Sequence, residues 1–278
     1  MKKTFETSDG ATLAYTDEGS GEVLILLPGW SQSAAMFRHQ IAHFARNRRV
    51  VALDFRGHGQ SPHATHGYRI YRFAGDVQEL MRHEQIERAD IVGWSMGASV
   101  VWAMIDMFGT RHFNRLVFVD EPASVMRQAG MSEQDAVNAG ALFDSTTMLA
   151  IAEQIIGADG HATRGAFLDS MVTKQIPADL KEWLLAENLR VDPGQVASLF
   201  VNHCTIDWSD IFTRIDRPTL IVGGRASHVD ARSQEWIHGQ IAGSTLIIFE
   251  DNQGGAHFPF LEAPDRFNEL LSSFLLSS

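Results

Sequence analysis

Cysteine is nearly absent: Cys204 is the only one in 278 residues. No intramolecular disulfide can form and no cysteine-based metal site can be built, which agrees with a reducing compartment. Long apolar runs are missing too. No stretch approaches the roughly 20 residues of a membrane span, and "TFETSDGATLAY" behind the basic Met1-Lys2-Lys3 lacks the apolar core of a secretory signal. The expectation is a cytoplasmic protein with no membrane partner. Positive charge is scarce: 23 Lys and Arg stand against 34 Asp and Glu, a net charge of −11, and no basic stripe offsets it. That balance opposes docking on phosphate backbones or anionic lipid, so nucleic acid is not an expected partner. Internal repeats, low-complexity tracts and Pro/Ser-rich linkers are also lacking. What is present is an ordinary globular composition, 45% hydrophobic and 21% charged, long enough for one large domain or a domain with an insertion.

Six short apolar runs rich in Val, Ile and Leu punctuate the chain: "EVLILLPG" (22–29), "RVVALDF" (49–55), "ADIVGW" (89–94), "RLVFVD" (115–120), "PTLIVGG" (218–224) and "STLIIFE" (244–250). Such runs suit parallel strands buried on both faces. Helical spacing separates them, in Met36, Phe37, Ile41 and Phe44, then Phe73, Val77, Leu80 and Met81, then Val100 to Phe108, and last Phe267 to Phe274. The opening carries an Asp-Gly turn between two alternating segments, an antiparallel hairpin for one sheet edge. Alternating strand and helix imply an α/β fold with a mostly parallel sheet.

From 122 to 210 the alternation stops, and five helical patterns follow without a convincing strand. This reads as a helical cap inserted into a core made of 1–121 and 211–278. Its apolar residues are chiefly its own packing. A few, with Phe143 and Trp183 as candidates, are expected to face a cavity.

"DIVGWSMGASV" (90–100) places Ser95 between two glycines where a strand gives way to a helix. In that context G-x-S-x-G makes a tight, strained turn that lifts the hydroxyl clear of the sheet and aims the next backbone N–H, that of Met96, at the same spot. Idle serine in a glycine-rich turn is the plain alternative for the pentapeptide alone. A serine nucleophile needs a base. Of twelve histidines, His257 in "GGAHFPFLEAPDRF" lies after the last strand in a Gly-rich loop ahead of the C-terminal helix. His39 and His43 share an i, i+4 spacing without the Glu that a zinc protease carries, His58 suits a structural role, and His203 suits either packing or a pocket wall. A second oxyanion donor is expected from "LILLPGWSQS", where Gly29 permits close approach and Trp30 contributes its N–H. No cofactor or metal is expected.

These motifs, in this order, resemble the α/β-hydrolase superfamily over almost the whole chain. The resemblance implies a Ser–His–acid triad. In most members the acid is an Asp a few residues past the strand that here is "PTLIVGG", but Ala226 and Ser227 stand there, and Asp230 sits late enough to suit a helix N-cap. A second arrangement in the superfamily puts the acid after the preceding strand, which here ends in Asp120. The expected triad is therefore Ser95, His257 and Asp120. Glu121 ranks second because alternation turns it to the other side.

The implied function is hydrolysis of an ester, lactone or related carbonyl on a small to medium, largely apolar substrate through an acyl-enzyme. Trp30, Trp94, Met96 and Phe258 are candidate walls. A different class stays open: cofactor-free quinolone dioxygenases resemble this chain at "LLPGW" and around "HFP", and use a His–Asp dyad on a hydroxylated N-heteroaromatic. Gln32 stands where those enzymes have a substrate-binding histidine. A catalytically silent receptor on this fold is a third class, one that usually lacks a triad member.

Overall fold

The computed structural model describes residues 2–276. Strands β1 (Lys2–Glu6) and β2 (Thr12–Glu18) form the expected antiparallel hairpin, and Gly10 takes φ +83° in its turn. The six apolar runs become β3 (Val23–Leu27), β4 (Arg49–Leu53), β5 (Ala89–Trp94), β6 (Phe113–Val119), β7 (Thr219–Gly224) and β8 (Thr245–Phe249). Together they make one eight-stranded sheet in the order β1-β2-β4-β3-β5-β6-β7-β8, antiparallel at β1/β2 and β2/β4 and parallel elsewhere.

Alternation along each strand feeds two separate cores. Ile25, Leu27, Val51, Leu53 and Ile91 face one side, against α2 (Ile70–His83), α3 (Met96–Phe108) and α9 (Ala231–Gln240). Leu24, Leu26, Val50, Ala52 and Val92 face the other, against α1 (Arg38–Phe44), α10 (Pro259–Glu262) and α11 (Pro264–Leu276). Because both faces are covered, every residue of β5 and of β7 is buried, which is why these segments carry consecutive rather than alternating apolar residues, with Asp90 in β5 paired to Arg48.

Between β6 and β7 the stretch read as helical carries α4 (Glu133–Ala139), α5 (Ser145–Ile156), α6 (Gly160–Asp169), α7 (Ala178–Asn188) and α8 (Pro193–Cys204). Local chemistry starts several of them. Ser132 and Asp135 make a reciprocal capping box for α4, Asp144 caps α5, and Asp192 caps α8 just ahead of Pro193 at its first position. An isolated bridge joins Ser124 to Asp207, so the two ends of the stretch lie side by side. Among the described residues no helix is long and apolar enough to cross a membrane.

Parallel pairing has one consequence for chemistry: β3, β5, β6, β7 and β8 all release their chains at the same edge of the sheet. The loops holding Trp30, Ser95, Asp120, Ser227 and His257 therefore converge there.

Candidate active site

Ser95 leaves β5 with φ +51° and ψ −130°, a conformation that costs a non-glycine residue of order 1–3 kcal/mol. Two glycines make the turn possible. A Cβ on Gly97 would lie 2.3 Å from the Leu27 carbonyl oxygen, and one on Gly93 would lie 2.7 Å from the Ala98 Cα. The Ser95 N–H donates to the Val119 carbonyl at 2.9 Å, fastening the turn to the end of β6.

Asp120 follows directly from β6 and is fully buried, also at positive φ, +52°. Its carboxylate accepts three hydrogen bonds, from the Gly224 N–H at 3.1 Å, from Ser227 Oγ and from His257 Nδ1 at 2.6 Å. A buried carboxylate needs such partners. His257 is itself fixed by its backbone, since its N–H donates to Met171 O and its carbonyl accepts from Trp94 Nε1. With Nδ1 on Asp120, Nε2 is the nitrogen left for a substrate or for serine. Ser95 and His257 line one cavity, and no hydrogen bond joins them among the described residues. Catalytic contacts of this kind often tighten only when substrate binds. Asp230 caps α9 through the Arg232 N–H and takes no part.

Gly29 packs against the serine turn, its missing Cβ position 3.0 Å from Ser95 Cβ. The next four side chains are each tied to the helical stretch: Trp30 Nε1 donates to Val196 O, Ser31 Oγ to Asn188 O, Gln32 Nε2 to Leu184 O and Ser33 Oγ to Glu187. Arg164, buried and with no carboxylate hydrogen-bonded to it among the described residues, adds bonds to Ser31 Oγ and to Asn188, and burial pushes its pKa down to about 10. Among the described residues, no protein acceptor is recorded for the Trp30 or Met96 backbone N–H.

The cavity is tight, about 40 Å3, room for roughly three waters at ~10–15 Å3 each. Trp30, Gln32, Trp94, Phe258, Ser95 and His257 line it, with Phe167, Phe200, Leu142 and Val125 as further apolar walls. Three expectations need correction. Phe143 lies one layer behind, its ring 6.1 Å and 5.9 Å from those of Phe167 and Phe200, and borders an outer groove instead. Trp183 is turned away from the cavity and lies under the Arg38 guanidinium at 4.3 Å. Met96 is buried in the core and does not line the cavity.

Glu121 differs from its reading in a useful way. Strand alternation would send it across the sheet, but the positive φ at Asp120 breaks the alternation, and Glu121 lines the same cavity. It does not reach His257; Oε1 accepts from Ser99 Oγ at 2.6 Å and pairs with His203 Nε2 at 2.7 Å. His203 thus both lines the cavity and packs by hydrogen bonding. His228, absent from the sequence reading, stacks on Phe167 and lies 4.6 Å from the His257 ring. Burial and the neighbouring His257 hold its pKa well below the usual histidine range. No local motif marks it; only the meeting of the loops after β7 and β8 brings it in.

Three further histidines lie outside the cavity. His58 is fully buried with Nδ1 on Arg56 O, and burial pushes its pKa down to about 4. His39 and His43 lie half-buried on α1, and among the described residues no group of three or more His, Cys, Asp or Glu could hold a metal. Cys204 is buried and its pKa is raised by burial.

A family model described as alpha/beta hydrolase fold matches residues 22–175. The AB hydrolase superfamily protein YisY of Bacillus subtilis is 27% identical, covering 99% of both chains. Among solved structures, a bromoperoxidase from Bacillus anthracis superposes with a TM-score of 0.90 at 21% identity, over 100% of both chains. The esterase RhEst1 from Rhodococcus sp. ECU1013 superposes with a TM-score of 0.84 at 25% identity, covering 99% of this chain and 98% of its own.

Proposed function

The chain belongs to the α/β-hydrolase fold family, and from that premise we propose that it is a serine hydrolase of esters, lactones or related carbonyls. The observation that carries the reading is the 2.6 Å contact between His257 Nδ1 and buried Asp120, in a loop cluster whose cavity also contains Ser95. The esterase likeness agrees with it.

His257 Nε2 takes the Ser95 proton as Oγ attacks the substrate carbonyl. Asp120 holds the ring in the tautomer with Nε2 unprotonated and stabilises the imidazolium. The Trp30 and Met96 N–H groups receive the oxyanion, each such donor contributing about 3 kcal/mol in comparable sites. His257 then protonates the leaving alcohol, and water, deprotonated by the same base, releases the acid. Mostly aromatic and aliphatic walls favour a small, largely apolar acyl group.

Residues 122–210 act as a cap over this edge, and their four ties to residues 30–33 hold the oxyanion loop in place. The single buried cysteine suits a cytoplasmic setting, with a small molecule as partner. Turnover of p-nitrophenyl esters, compared between the protein and its Ser95→Ala variant, tests the reading; near-complete loss in the variant is expected.

One observation favours a second reading. Asp120 and His257 form a bonded dyad, and a cofactor-free dioxygenase of a hydroxylated N-heteroaromatic works through such a His–Asp dyad. Against it, Gln32 is turned onto the Leu184 carbonyl. Oxygen-dependent turnover that survives Ser95→Ala would select this alternative.

A further inference from the structure

We propose that Glu121 and His203 form a polar subsite of the same cavity, built to take a hydroxyl group of the substrate. The inference rests on the serine-hydrolase reading and adds a substrate class to it. Both residues line the cavity and both are buried, at 2% and 6% exposure. Glu121 spends a single oxygen on its two partners: Ser99 Oγ and His203 Nε2 both meet Oε1. Among the described residues no hydrogen bond reaches Glu121 Oε2 or His203 Nδ1. Glu121 Oε2 is therefore unengaged on a residue that borders an otherwise mostly apolar space, and so is free to accept a hydrogen bond there.

The chemistry of that atom narrows the ligand. An ionised Oε2 only accepts. A hydroxyl donates to Oε2, while His203, with Nε2 on Oε1 and Nδ1 on the far side of its ring, holds the carboxylate in place. A carboxylate would face the Glu121 charge. An ammonium would leave water for a space walled by Val125, Leu142, Phe167 and Phe200, at a far greater desolvation cost than a hydroxyl. A mere tie between the end of β6 and α8 would need the pair but no cavity in front of it.

The test uses sets of methyl esters matched in chain length and followed by pH-stat: methyl butyrate, methyl 3-hydroxybutyrate and monomethyl succinate, and their six-carbon counterparts with the polar group at the far end. In at least one set the hydroxy ester should exceed the plain ester in kcat/KM by about tenfold or more, as a hydrogen bond to a charged group allows, and the anionic ester should be poorest. In Glu121→Gln the hydroxy-to-plain ratio should fall toward one and the anionic penalty should shrink, and His203→Gln should lower the same ratio. Turnover of plain esters with no hydroxyl preference in the wild-type protein overturns the subsite while leaving the hydrolase reading intact. If no ester is turned over, that reading fails, and calorimetric titration of Ser95→Ala with the same esters decides the subsite: tighter binding of a hydroxy ester supports it and equal binding overturns it.

Discussion

Ser227 Oγ donates to Asp120 Oδ2, the same carboxylate oxygen that meets His257 Nδ1. The loop after β7, the place of the acid in most proteins of the superfamily, thus supplies a hydroxyl that supports a carboxylate arriving from β6. Between them, Ser227 and the Gly224 N–H give Asp120 two donors besides the histidine.

Asp120→Asn should lower kcat by about 10⁴-fold, because the amide favours the wrong histidine tautomer. Asp230→Asn should leave ester turnover within a few-fold, since it caps a helix. Steady-state kinetics on a p-nitrophenyl ester separates them, and the reverse ranking would overturn the choice of acid.

Ser227→Ala removes one charge-assisted hydrogen bond from Asp120 and should cost about tenfold in kcat with little change in KM. Loss confined to KM would instead mean that Ser227 contacts substrate.

Gly97→Ala should destabilise the fold by about 2–3 kcal/mol in urea titration, because its Cβ meets the Leu27 backbone at 2.3 Å and the chain must shift. Gly75→Ala is the contrast. In α2 its Cβ meets only the flexible Arg72 side chain, at 3.5 Å and beyond, so helix propensity should raise stability by up to about 1 kcal/mol.

His58 has its folded-state pKa lowered to about 4 by burial, against 6.5 unperturbed. Between those values the unfolded chain binds the extra proton, so stability rises with pH through the window and is lost as pH falls from about 6.5 toward 4. Urea unfolding should show about 2 kcal/mol less stability at pH 5 than at pH 7 from this group. His58→Gln should flatten that part of the slope.

Much of the fold was legible because its signals are local and repeated. Strands covered on both faces carry apolar residues at consecutive positions, so β3 to β7 stand out as runs, with the edge strand β8 less buried, and the glycines around Ser95 are demanded by contacts that no side chain could survive. Rotation of the inserted helices was not legible. In α7 the neighbours Trp183 and Leu184 are both apolar, yet only Leu184 is fully buried, while Trp183 finds Arg38. Glu121 was hidden for a different reason: a single positive φ at Asp120 cancels the alternation on which the sequence argument depended. His228 has no motif at all and enters the cavity only because two loops far apart in sequence converge.

The central claim is that Ser95 is a nucleophile activated by His257. Incubation with a fluorophosphonate, read by intact-protein and peptide mass spectrometry, tests it most directly. The account predicts one adduct, on Ser95, that disappears in Ser95→Ala and forms far more slowly in His257→Gln and Asp120→Asn. A folded protein that never carries the label on Ser95, or labels equally fast without His257, would contradict it.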